Sequence, residues 1–367
     1  MNILFLVSTL TGGGSERVCA SVANGLSRKG HNVTILVGRT TGNDYYTEPA
    51  VKVLSWLNKD YVSFLSKIWR EIKKPFLFSG ALYSVIREQK IDVVINILGM
   101  YMTESILISK LCGVKIVFSD HNAYERPQDA PMRLRQKRHK FYESRLCDCT
   151  TVLTNRDREI LNTRKNVVVM PNPLFLPVLN DIPSKEKIVL AVGRLDAWHY
   201  KGFDLLIKAW GDICHKHSDW KLRIIGNGTE NSLRQLNSFI NASRAERVEI
   251  KPFTKDIIQE YRNSEIFVLS SRYEAFGLVL FEAMSQKCAC IACDYLGRQS
   301  DIITDGVDGL LCETYSSEAL SLKIDHLISD NSLRLSLKKH SADNLSRFSE
   351  TNITLRWESL LYSLLDK

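Results

Sequence analysis

Residues 1–38, MNILFLVSTLTGGGSERVCASVANGLSRKGHNVTILVG, give the strongest indication of the fold class. It opens with the apolar run ILFLV, passes through the glycine turn TGGG into a helix-like stretch, and ends in a second apolar run, HNVTILVG. Both runs have the length and the Val, Ile and Leu content of strands buried on both faces. Strand, helix and strand in this order are the opening unit of a parallel, doubly wound α/β sheet.

The same pattern continues and then starts again. In the first half, strands are predicted by runs rich in Val and Ile at residues 91–98, 114–120, 149–154 and 166–171. In the second half, the strand SKEKIVLAVGRL (184–195) precedes the helix GFDLLIKAWGDI (202–213), and further strands are predicted at 220–228, 247–253, 264–272 and 289–294. Four prolines interrupt residues 170–187, so we expect one domain over residues 1–183 and another over 184–345.

Length and composition are those of a globular protein with two domains. The chain has 367 residues, of which 44% are hydrophobic and 25% charged. No stretch reaches the roughly 18 apolar residues of a spanning helix, and the N-terminus lacks the basic region of a signal peptide. We therefore expect a cytoplasmic protein.

Nine cysteines agree with a reducing compartment. Cys288, Cys290 and Cys293 lie in one apolar run, where reduced cysteine behaves as a small hydrophobic residue. A metal site is the alternative interpretation. The alternation of side chains along a strand, and the lack of a second Cys or His cluster, favour packing.

Positive charge is concentrated in the first half. Residues 1–183 contain 25 Lys and Arg against 16 Asp and Glu, whereas residues 184–367 contain 24 against 25. A one-sided basic surface indicates an anionic partner, such as acidic lipid, a phosphorylated substrate or nucleic acid. Nucleic acid is disfavoured because neither a helix-turn-helix nor an aromatic and basic strand platform is found.

Loops that follow strands are the places to look for chemistry, because ligands of such sheets bind beyond the carboxyl ends of the strands. After GRL (193–195), Arg194 and Lys201 offer two cations in one strand-to-helix loop, a pattern that suits a diphosphate. A solvated basic loop is the alternative. GNG (226–228) is another glycine turn at a strand end, and a weak signal alone.

The segment SRYEAFGLVLFEAMS (271–285) sets Glu274 and Glu282 on either side of Gly277. An amphipathic helix with incidental charges is the simple interpretation. Alternatively, the glycine allows close approach of a ligand, the helix N-terminus favours an anion, and the carboxylates accept hydrogen bonds from hydroxyls. A phosphate between two hydroxyl-rich rings, as in a sugar nucleotide, fits that arrangement.

Taken together, these motifs resemble a known family. GRL…KGFDLL, EAFGLVLFEAM and DIITDGVDGLLC (301–312) resemble the retaining glycosyltransferases of GT-B fold, in their large fourth sequence family. TGGGSERV and SDHN (119–122) resemble the first domain of that family. The loop DAWHY between GRL and KG is longer here than is usual in the family. The resemblance implies two Rossmann-like domains that face one another across a cleft, and a C-terminal helix over residues 346–367 that returns to the first domain.

The resemblance also implies residue roles, which the chemistry of the side chains supports. Arg194 and Lys201 would bind the diphosphate and stabilise it as it departs, Glu282 would accept the ribose hydroxyls, and Glu274 would accept hydroxyls of the donor sugar. Asn227 in GNG and Phe253 in the loop KPFTK (251–255) would lie along the nucleotide. Sugar and phosphate would meet the backbone N–H groups of Phe276, Gly277 and Leu278.

In the first domain the resemblance implies that Gly13 and Gly14 let the backbone approach the donor phosphate and the acceptor. His121 would face the reacting sugar. A lone histidine at a strand end is otherwise a hydrogen-bonded structural residue, and that interpretation stays open.

For the reaction we expect attack on the same face of the sugar from which the diphosphate leaves, rather than a covalent intermediate on Glu274. We expect no cofactor and no metal, because the chain contains no Asp-x-Asp pair and the two cations can neutralise the leaving group. The donor would be a UDP-sugar, and the acceptor a glycan or a lipid-linked saccharide of surface polysaccharide synthesis.

Two basic segments of the first half, residues 60–78 and 133–145, mix aromatic residues with lysine and arginine. A solvated helix face is the simple interpretation. Such segments also bind anionic lipid, and we expect peripheral contact with the inner face of the cytoplasmic membrane. Two other functions remain as alternatives: a sugar-nucleotide epimerase or phosphorylase on the same fold, and a non-enzymatic module that binds an anion.

Overall fold

The computed structural model describes residues 1–57, 67–129 and 131–366, with residues 67–73 described by their backbone alone. The chain forms two compact units. One consists of Met1–Pro173 with Phe348–Lys367, and the other of Leu174–Arg347. Residues 174–183, which the predicted boundary assigned to the first domain, thus belong to the second unit.

The first unit is built on a parallel sheet of seven strands. Their bounds are β1 (Asn2–Val7), β2 (Asn32–Val37), β3 (Lys52–Ser55), β4 (Val93–Ile97), β5 (Lys115–Ser119), β6 (Cys149–Val152) and β7 (Val167–Val169). The strand order is β3-β2-β1-β4-β5-β6-β7, so the winding reverses between β1 and β4. The predicted strands are present. The edge strand β3 was not predicted, because its four residues, KVLS, carry too little pattern.

Helices of the first unit cover the sheet between these strands: α1 (Gly14–Arg28), α2 (Lys67–Glu88), α3 (Met102–Leu111), α4 (Leu134–Lys137) and α5 (Asn155–Ile160). Phe78 of α2 and Ile106 of α3 pack with Leu4 of β1 in one apolar cluster. Ile3 and Phe5 point to the opposite face and are buried as well. Burial on both faces explains the continuous apolar run at the N-terminus.

The second unit repeats the architecture with six parallel strands: β8 (Glu186–Val192), β9 (Lys221–Ile225), β10 (Val248–Lys251), β11 (Ser264–Leu269), β12 (Ala289–Cys293) and β13 (Leu310–Cys312). Their order is β10-β9-β8-β11-β12-β13, and the winding reverses between β8 and β11. The helices are α6 (Trp198–Lys201), α7 (Phe203–Ile213), α8 (Glu230–Ala242), α9 (Ile257–Asn263), α10 (Leu278–Ser285), α11 (Ser317–Ser329) and α12 (Asn331–Leu345). The fully buried Trp210 of α7 lies in a large apolar cluster with Val189 of β8.

After α12 the chain returns to the first unit and ends in helix α13 (Glu350–Leu365). This helix packs on α1. Gly25 of α1 makes room for it, since a Cβ at that position would lie 2.1 Å from Thr354 Oγ1. His31 Nε2 lies 2.9 Å from Glu358 Oε1, and Arg356 donates a hydrogen bond of 2.7 Å to the carbonyl of Val169.

Candidate active site

The predicted phosphate- and sugar-binding residues of the second unit follow its two central strands. Arg194 and Lys201 come after β8, and Glu274 comes after β11. These strands are neighbours, and the winding of the sheet reverses between them. The loops beyond their carboxyl ends therefore border the crevice in which open parallel sheets bind ligands.

The segment after β8 is folded rather than loose. The residues DAWHY, predicted as a long loop, form a 3₁₀ turn at Leu195–Ala197 and then the short helix α6. The Leu195 amide donates to the Asn227 carbonyl at 2.8 Å, and Asp196 accepts two hydrogen bonds from Thr229, at 2.8 and 2.9 Å. The same hydrogen bonds lower the pKa of Asp196. The extra length of this loop thus joins it to the turn after β9.

Gly202 determines how closely this segment meets the loop after β11. Its φ is +65°, and a Cβ there would lie 2.0 Å from the Ser270 carbonyl oxygen. The Ser270 hydroxyl in turn donates to the Lys201 carbonyl at 2.7 Å. Only glycine suits both the left-handed backbone and the close approach, so the residue after Lys201 fixes the position of that lysine.

Arg272 holds the two loops together from the other side. Its guanidinium makes a bidentate ion pair with Asp204 of α7, with distances of 2.6 and 2.7 Å. It also donates to the His199 carbonyl at 2.7 Å, and its amide donates to the Tyr200 carbonyl at 2.9 Å. In the sequence, Arg272 is the last residue of the predicted strand 264–272 and has no predicted role. Its partner lies 68 residues away, so no local pattern could identify it.

Lys201 and Glu274 form an ion pair in this structure. Lys201 Nζ lies 2.7 Å from Glu274 Oε2, and the two side chains are 22% and 17% exposed. A cation and a carboxylate predicted to bind different parts of one ligand are thus brought together. Both remain within reach of solvent, so a ligand can replace either partner.

Helix α10 begins directly after Gly277, whose φ of +96° is in the left-handed region. The Gly277 and Leu278 amides, predicted to contact sugar and phosphate, donate to no partner among the residues that the structure describes. Phe276, the third predicted backbone contact, has a buried side chain. Free N–H groups and the helix dipole make this helix start suitable for an anion.

Glu282 lies in the second turn of α10 and is largely buried. Its Oε2 accepts a hydrogen bond from the Tyr261 hydroxyl at 3.0 Å. Burial first, and then the charge of Glu282, raise the pKa of Tyr261 well above its ordinary value, so the hydroxyl remains a donor at neutral pH. This tyrosine was not predicted, because it precedes Glu282 by 21 residues on another helix.

The other predicted residues of the second unit lie at the same edge of the sheet. Arg194 is exposed directly after β8. Within residues 1–57, 67–129 and 131–366 its guanidinium has no hydrogen bond or ion pair, whereas its carbonyl accepts a hydrogen bond of 3.1 Å from the Ala197 amide. Asn227 and Phe253 follow β9 and β10 and are exposed. All three are open to a ligand at the carboxyl ends of the strands.

In the first unit, Gly13 and Gly14 lie at the start of α1, in the loop after β1. The Glu16 carboxylate stands beside them, since a Cβ on Gly13 would lie 2.0 Å from its Oε2. Ser15 donates to that oxygen at 2.8 Å. The backbone here is accessible only where this flexible carboxylate moves aside.

His121 follows β5 and is held by neutral partners. Its Nδ1 lies 3.1 Å from Asn172 Oδ1, and its Nε2 lies 3.1 Å from the Ser119 hydroxyl. Burial lowers the pKa of His121 to about 4, although Asp120 opposes the shift. At neutral pH the imidazole is therefore uncharged, with Nδ1–H as donor and Nε2 as acceptor. This geometry agrees with a structural histidine and with one that contacts a sugar hydroxyl.

The loop of His121 is stabilised by a buried ion pair that the sequence did not reveal. Lys140 Nζ lies 2.6 Å from Asp120 Oδ2, donates to the Asn122 carbonyl at 2.7 Å, and lies 4.0 Å from the centre of the Tyr124 ring. Burial lowers the pKa of Lys140, against the attraction of Asp120. The simple interpretation of residues 133–145 as a solvated face is thus wrong at Lys140 and at the buried His139.

Part of that segment is exposed, whereas Ser144 is buried and Phe141 packs against an apolar cluster. Leu134 is 84% exposed and Tyr142 69%, and Arg133, Lys137 and Arg138 lie between and beside them. In the other basic segment, residues 60–66 and the side chains of 67–73 lie outside the described part of the chain. No helix among the described residues is long and apolar enough to span a membrane.

Cys290 and Cys293 lie in β12 and Cys288 directly before it, and all three are buried. Cys293 Sγ lies 3.5 Å from Cys312 Sγ on the neighbouring strand β13. In the described ranges, no group of three His, Cys, Asp or Glu side chains is arranged to hold a metal ion. The cysteines of β12 therefore contribute to packing.

Comparison with known proteins adds two family matches. The model of Glycosyltransferase Family 4 matches residues 12–174, and that of Glycosyl transferases group 1 matches residues 177–343. Together they cover both units of the chain.

Two relatives match over nearly their full length. One is the GalNAc-alpha-(1->4)-GalNAc-alpha-(1->3)-diNAcBac-PP-undecaprenol alpha-1,4-N-acetyl-D-galactosaminyltransferase of Campylobacter jejuni, 28% identical over 98% of each chain. The other is the amylovoran biosynthesis glycosyltransferase AmsD of Erwinia amylovora, 29% identical over 98% of this chain and 99% of that protein. Among solved structures, Anabaena HepE in complex with UDP and glucose is similar, with a TM-score of 0.77 and 17% identity over 99% of this chain and 100% of that one.

Proposed function

This chain belongs to the group 1 glycosyltransferases of GT-B fold, and on that premise we propose that it transfers a sugar from a UDP-sugar to a glycan or lipid-linked saccharide with retention of configuration. Its relatives make bacterial polysaccharide and lipid-linked glycans. The donor would be a UDP-hexose or a UDP-N-acetylhexosamine, and the product an alpha-linked saccharide of O-antigen, capsule or lipopolysaccharide type.

One observation carries this proposal. At the carboxyl ends of β8 and β11, a cation, a carboxylate and the start of helix α10 lie on adjacent loops that Gly202 and Arg272 hold together. A diphosphate needs the cation and the helix start, and a sugar ring needs the carboxylate. A sugar nucleotide contains both groups in one molecule.

Charge neutralisation is the main chemical task of the site. As the bond between the sugar carbon and the diphosphate oxygen breaks, negative charge accumulates on that oxygen. Lys201, Arg194 and the first amides of α10 would stabilise it. Fixed donors at such a position contribute about 2.7–4 kcal/mol to the transition state. We propose that they perform this task without a metal.

The ion pair of Lys201 with Glu274 is broken when the donor binds. A partly exposed pair contributes only about 1 kcal/mol, whereas charge-assisted hydrogen bonds to phosphate contribute about 1.5–3 kcal/mol each. The exchange is therefore favourable. Lys201 turns to the diphosphate, and Glu274 becomes available to accept hydrogen bonds from hydroxyls of the sugar.

Retention follows from attack on the face that the diphosphate leaves. The acceptor oxygen forms its bond to the sugar carbon as the old bond breaks, and the acceptor proton passes to the departing phosphate oxygen. In this scheme Glu274 holds the sugar and forms no bond to it. Proton transfer needs no side-chain base, which suits a site whose nearest carboxylate is already committed to hydroxyl groups.

The remaining contacts bind the nucleoside and the acceptor side. Glu282 accepts the ribose hydroxyls, and Asn227 and Phe253 lie along the nucleotide. In the first unit, the neutral His121 contacts the transferred sugar, and Gly13 and Gly14 approach the donor phosphate once Glu16 moves aside. The low pKa of His121 favours a hydrogen-bonding role over an electrostatic one.

We also propose that the first unit binds the inner face of the cytoplasmic membrane. The exposed Leu134 and Tyr142, with Arg133, Lys137 and Arg138 around them, have the composition of a surface that inserts into anionic headgroups. Flotation with vesicles of phosphatidylglycerol, compared with vesicles of phosphatidylcholine, tests this. Binding that does not depend on lipid charge, or that survives Leu134→Glu with Tyr142→Glu, would contradict it.

The first test of the enzymatic proposal is donor binding. Calorimetry with a panel of UDP-, GDP- and ADP-sugars, on the wild-type chain and on Glu282→Ala, should show one preferred UDP-sugar and weaker binding in the variant. A folded protein that binds no nucleotide sugar would favour the non-enzymatic alternative. Conversion of a bound sugar nucleotide to its epimer, without transfer, would favour the epimerase.

A further inference from the structure

Glu282, which is proposed to bind the ribose, has a buried partner that takes no part in the proposed reaction. Tyr261 of α9 is fully buried, and its hydroxyl donates to Glu282 Oε2 at 3.0 Å. The ring of Tyr261 packs edge-on against Phe267 of β11, with ring centres 5.8 Å apart. The hydroxyl is therefore held in place by packing, and it restricts the rotation of the carboxylate it contacts.

A second buried side chain fixes the two helices that carry this contact. Lys185 Nζ lies 3.0 Å from each of four carbonyl oxygens, which share its three N–H donors: those of Tyr261, Arg262 and Ser264 at the end of α9, and that of Gln286 just after α10. The terminal carbonyls of a helix carry partial negative charge and lack intrahelical donors. One ammonium group thus binds the carboxyl ends of both helices and keeps Tyr261 and Glu282 in register.

Such support matters because a carboxylate in a largely buried position rotates or takes up a proton when no donor faces it. A carboxylate has about four acceptor positions on its two oxygens. A hydroxyl bound at one of them fixes the plane of the group and leaves acceptor capacity for a ligand.

We propose that Tyr261 is a positioning residue that orients Glu282 toward the ribose and thereby makes the site select nucleotides with ribose hydroxyls. This inference rests on the proposed function, because it takes the ribose to lie at Glu282. Tyr261 does not touch the ligand; it acts through Glu282. Lys185 sets the relative position of the helices on which both residues lie.

Selectivity can be measured separately from stability. We would titrate UDP and 2′,3′-dideoxy-UDP by calorimetry into the wild-type chain, Tyr261→Phe, Glu282→Gln and the double variant. Tyr261→Phe keeps the buried ring and removes only the hydroxyl. We expect it to weaken UDP binding about tenfold, the effect of one hydrogen bond to a charged group, and to change dideoxy-UDP binding less than about twofold. The double variant should lose little more than Glu282→Gln alone.

A merely structural role of Tyr261 predicts a different result, in which the binding of both ligands is weakened equally. The ratio of the dissociation constant of dideoxy-UDP to that of UDP would then be unchanged, whereas the proposed role predicts a lower ratio. An unchanged ratio would overturn the inference. Ile324→Val is the matched control, since it removes a methyl group from the core of the same unit, far along the chain from Glu282, and should leave the ratio unchanged.

The test also separates this inference from the proposed function. If Glu282→Gln lowers the ratio and Tyr261→Phe does not, Glu282 binds the ribose and only the role of Tyr261 is wrong. If neither variant changes the ratio, or if the folded wild-type chain binds no UDP, the assignment of the ribose to Glu282 fails and this inference fails with it.

Discussion

At the scale of single residues, the central feature of the site is an ion pair whose two members are proposed to exchange each other for groups of the donor. Lys201 pairs with Glu274 in the structure, and both are proposed to bind the donor. The pair keeps two opposite charges close together in a site that has to accept a doubly charged diphosphate. It also keeps each side chain in the position from which its ligand contact begins.

Lys201→Ala is expected to lower kcat for sugar transfer by about 100-fold or more, because a fixed donor to the developing charge is lost. The effect on KM for the donor should be smaller, since binding is shared with Arg194 and the helix start. Release of UDP in the presence of acceptor measures both constants. Lys208→Ala, which removes an exposed lysine from α7, is the control, and a Lys201→Ala rate within threefold of the wild type would contradict the assignment.

The partly buried His121 predicts a specific dependence of stability on pH. The pKa of an unfolded histidine is about 6.5, and that of folded His121 is about 4. Between these values the unfolded chain binds the proton and the folded chain does not, so stability falls as the pH is lowered from 6.5 toward 4. The loss is up to about 3 kcal/mol.

Removal of this histidine should remove that part of the pH dependence. We expect the free energy of unfolding of His121→Gln to fall less than that of the wild type between pH 7 and pH 4.5, in urea titrations. His326→Gln, at an exposed position on α11, should behave like the wild type. Equal pH dependence in His121→Gln and wild type would show that the folded imidazole is not kept neutral.

Whether a functional residue could be predicted from the sequence depended on how far along the chain its partner lies. Lys201, Glu274 and Glu282 could be found because each follows a strand within a short, recognisable motif. Tyr261, Lys185, Arg272 and Lys140 could not, because each acts on a group that is distant in the sequence. Lys140 in particular lies in a run of basic residues, and only the fold reveals that it is buried against Asp120.

At the scale of helices and strands, the site depends on how two loops are joined. The central strands were predicted because burial on both faces gives them long apolar runs. The edge strands β3 and β13 were missed, since three or four residues carry little pattern. Helix α6 was missed as well, because its four residues, WHYK, were taken for part of a loop. The backbone of α6, which ends at Lys201, determines the position of that lysine.

Gly202 offers a direct test of this joint, because Gly306 is a matched control. Both have a positive φ, +65° and +75°, so alanine strains the backbone at each. Only at Gly202 would the new Cβ meet another group, the Ser270 carbonyl oxygen at 2.0 Å, whereas nothing lies within 4 Å at Gly306. Gly202→Ala should therefore separate the loops after β8 and β11.

The expected results differ in kind as well as in size. Gly306→Ala should cost about 1 kcal/mol of stability, in line with backbone strain alone, and should leave UDP binding unchanged. Gly202→Ala should cost more and should weaken UDP binding at least tenfold. Thermal unfolding and calorimetry measure the two effects, and equal UDP affinity in both variants would show that the loop contact does not support the site.

At the scale of the whole molecule, charge and chain path divide the tasks between two units. The first 183 residues carry the excess of basic side chains, and the second unit carries most of the side chains proposed to bind the donor. The chain nevertheless ends in the first unit, where Thr354 of α13 packs on α1 and Glu358 pairs with His31 before β2. A substitution in one unit can therefore be tested for its effect on the stability or binding of the other.

Trp357→Ala tests this division. Trp357 of α13 is 2% exposed, and its truncation should cost the first unit about 3–5 kcal/mol through the cavity it leaves. The side-chain contacts proposed for Lys201, Glu274 and Glu282 lie in the second unit, and the first unit contributes to UDP binding only the proposed approach of the Gly13 and Gly14 backbone. UDP affinity at a temperature below unfolding should therefore remain within about twofold of the wild type. Leu355→Ala, at an exposed position on the same helix, should change neither quantity. If Trp357→Ala weakens UDP binding tenfold while the protein stays folded, donor binding depends on the packing of the first unit, and the division of tasks between the units is wrong.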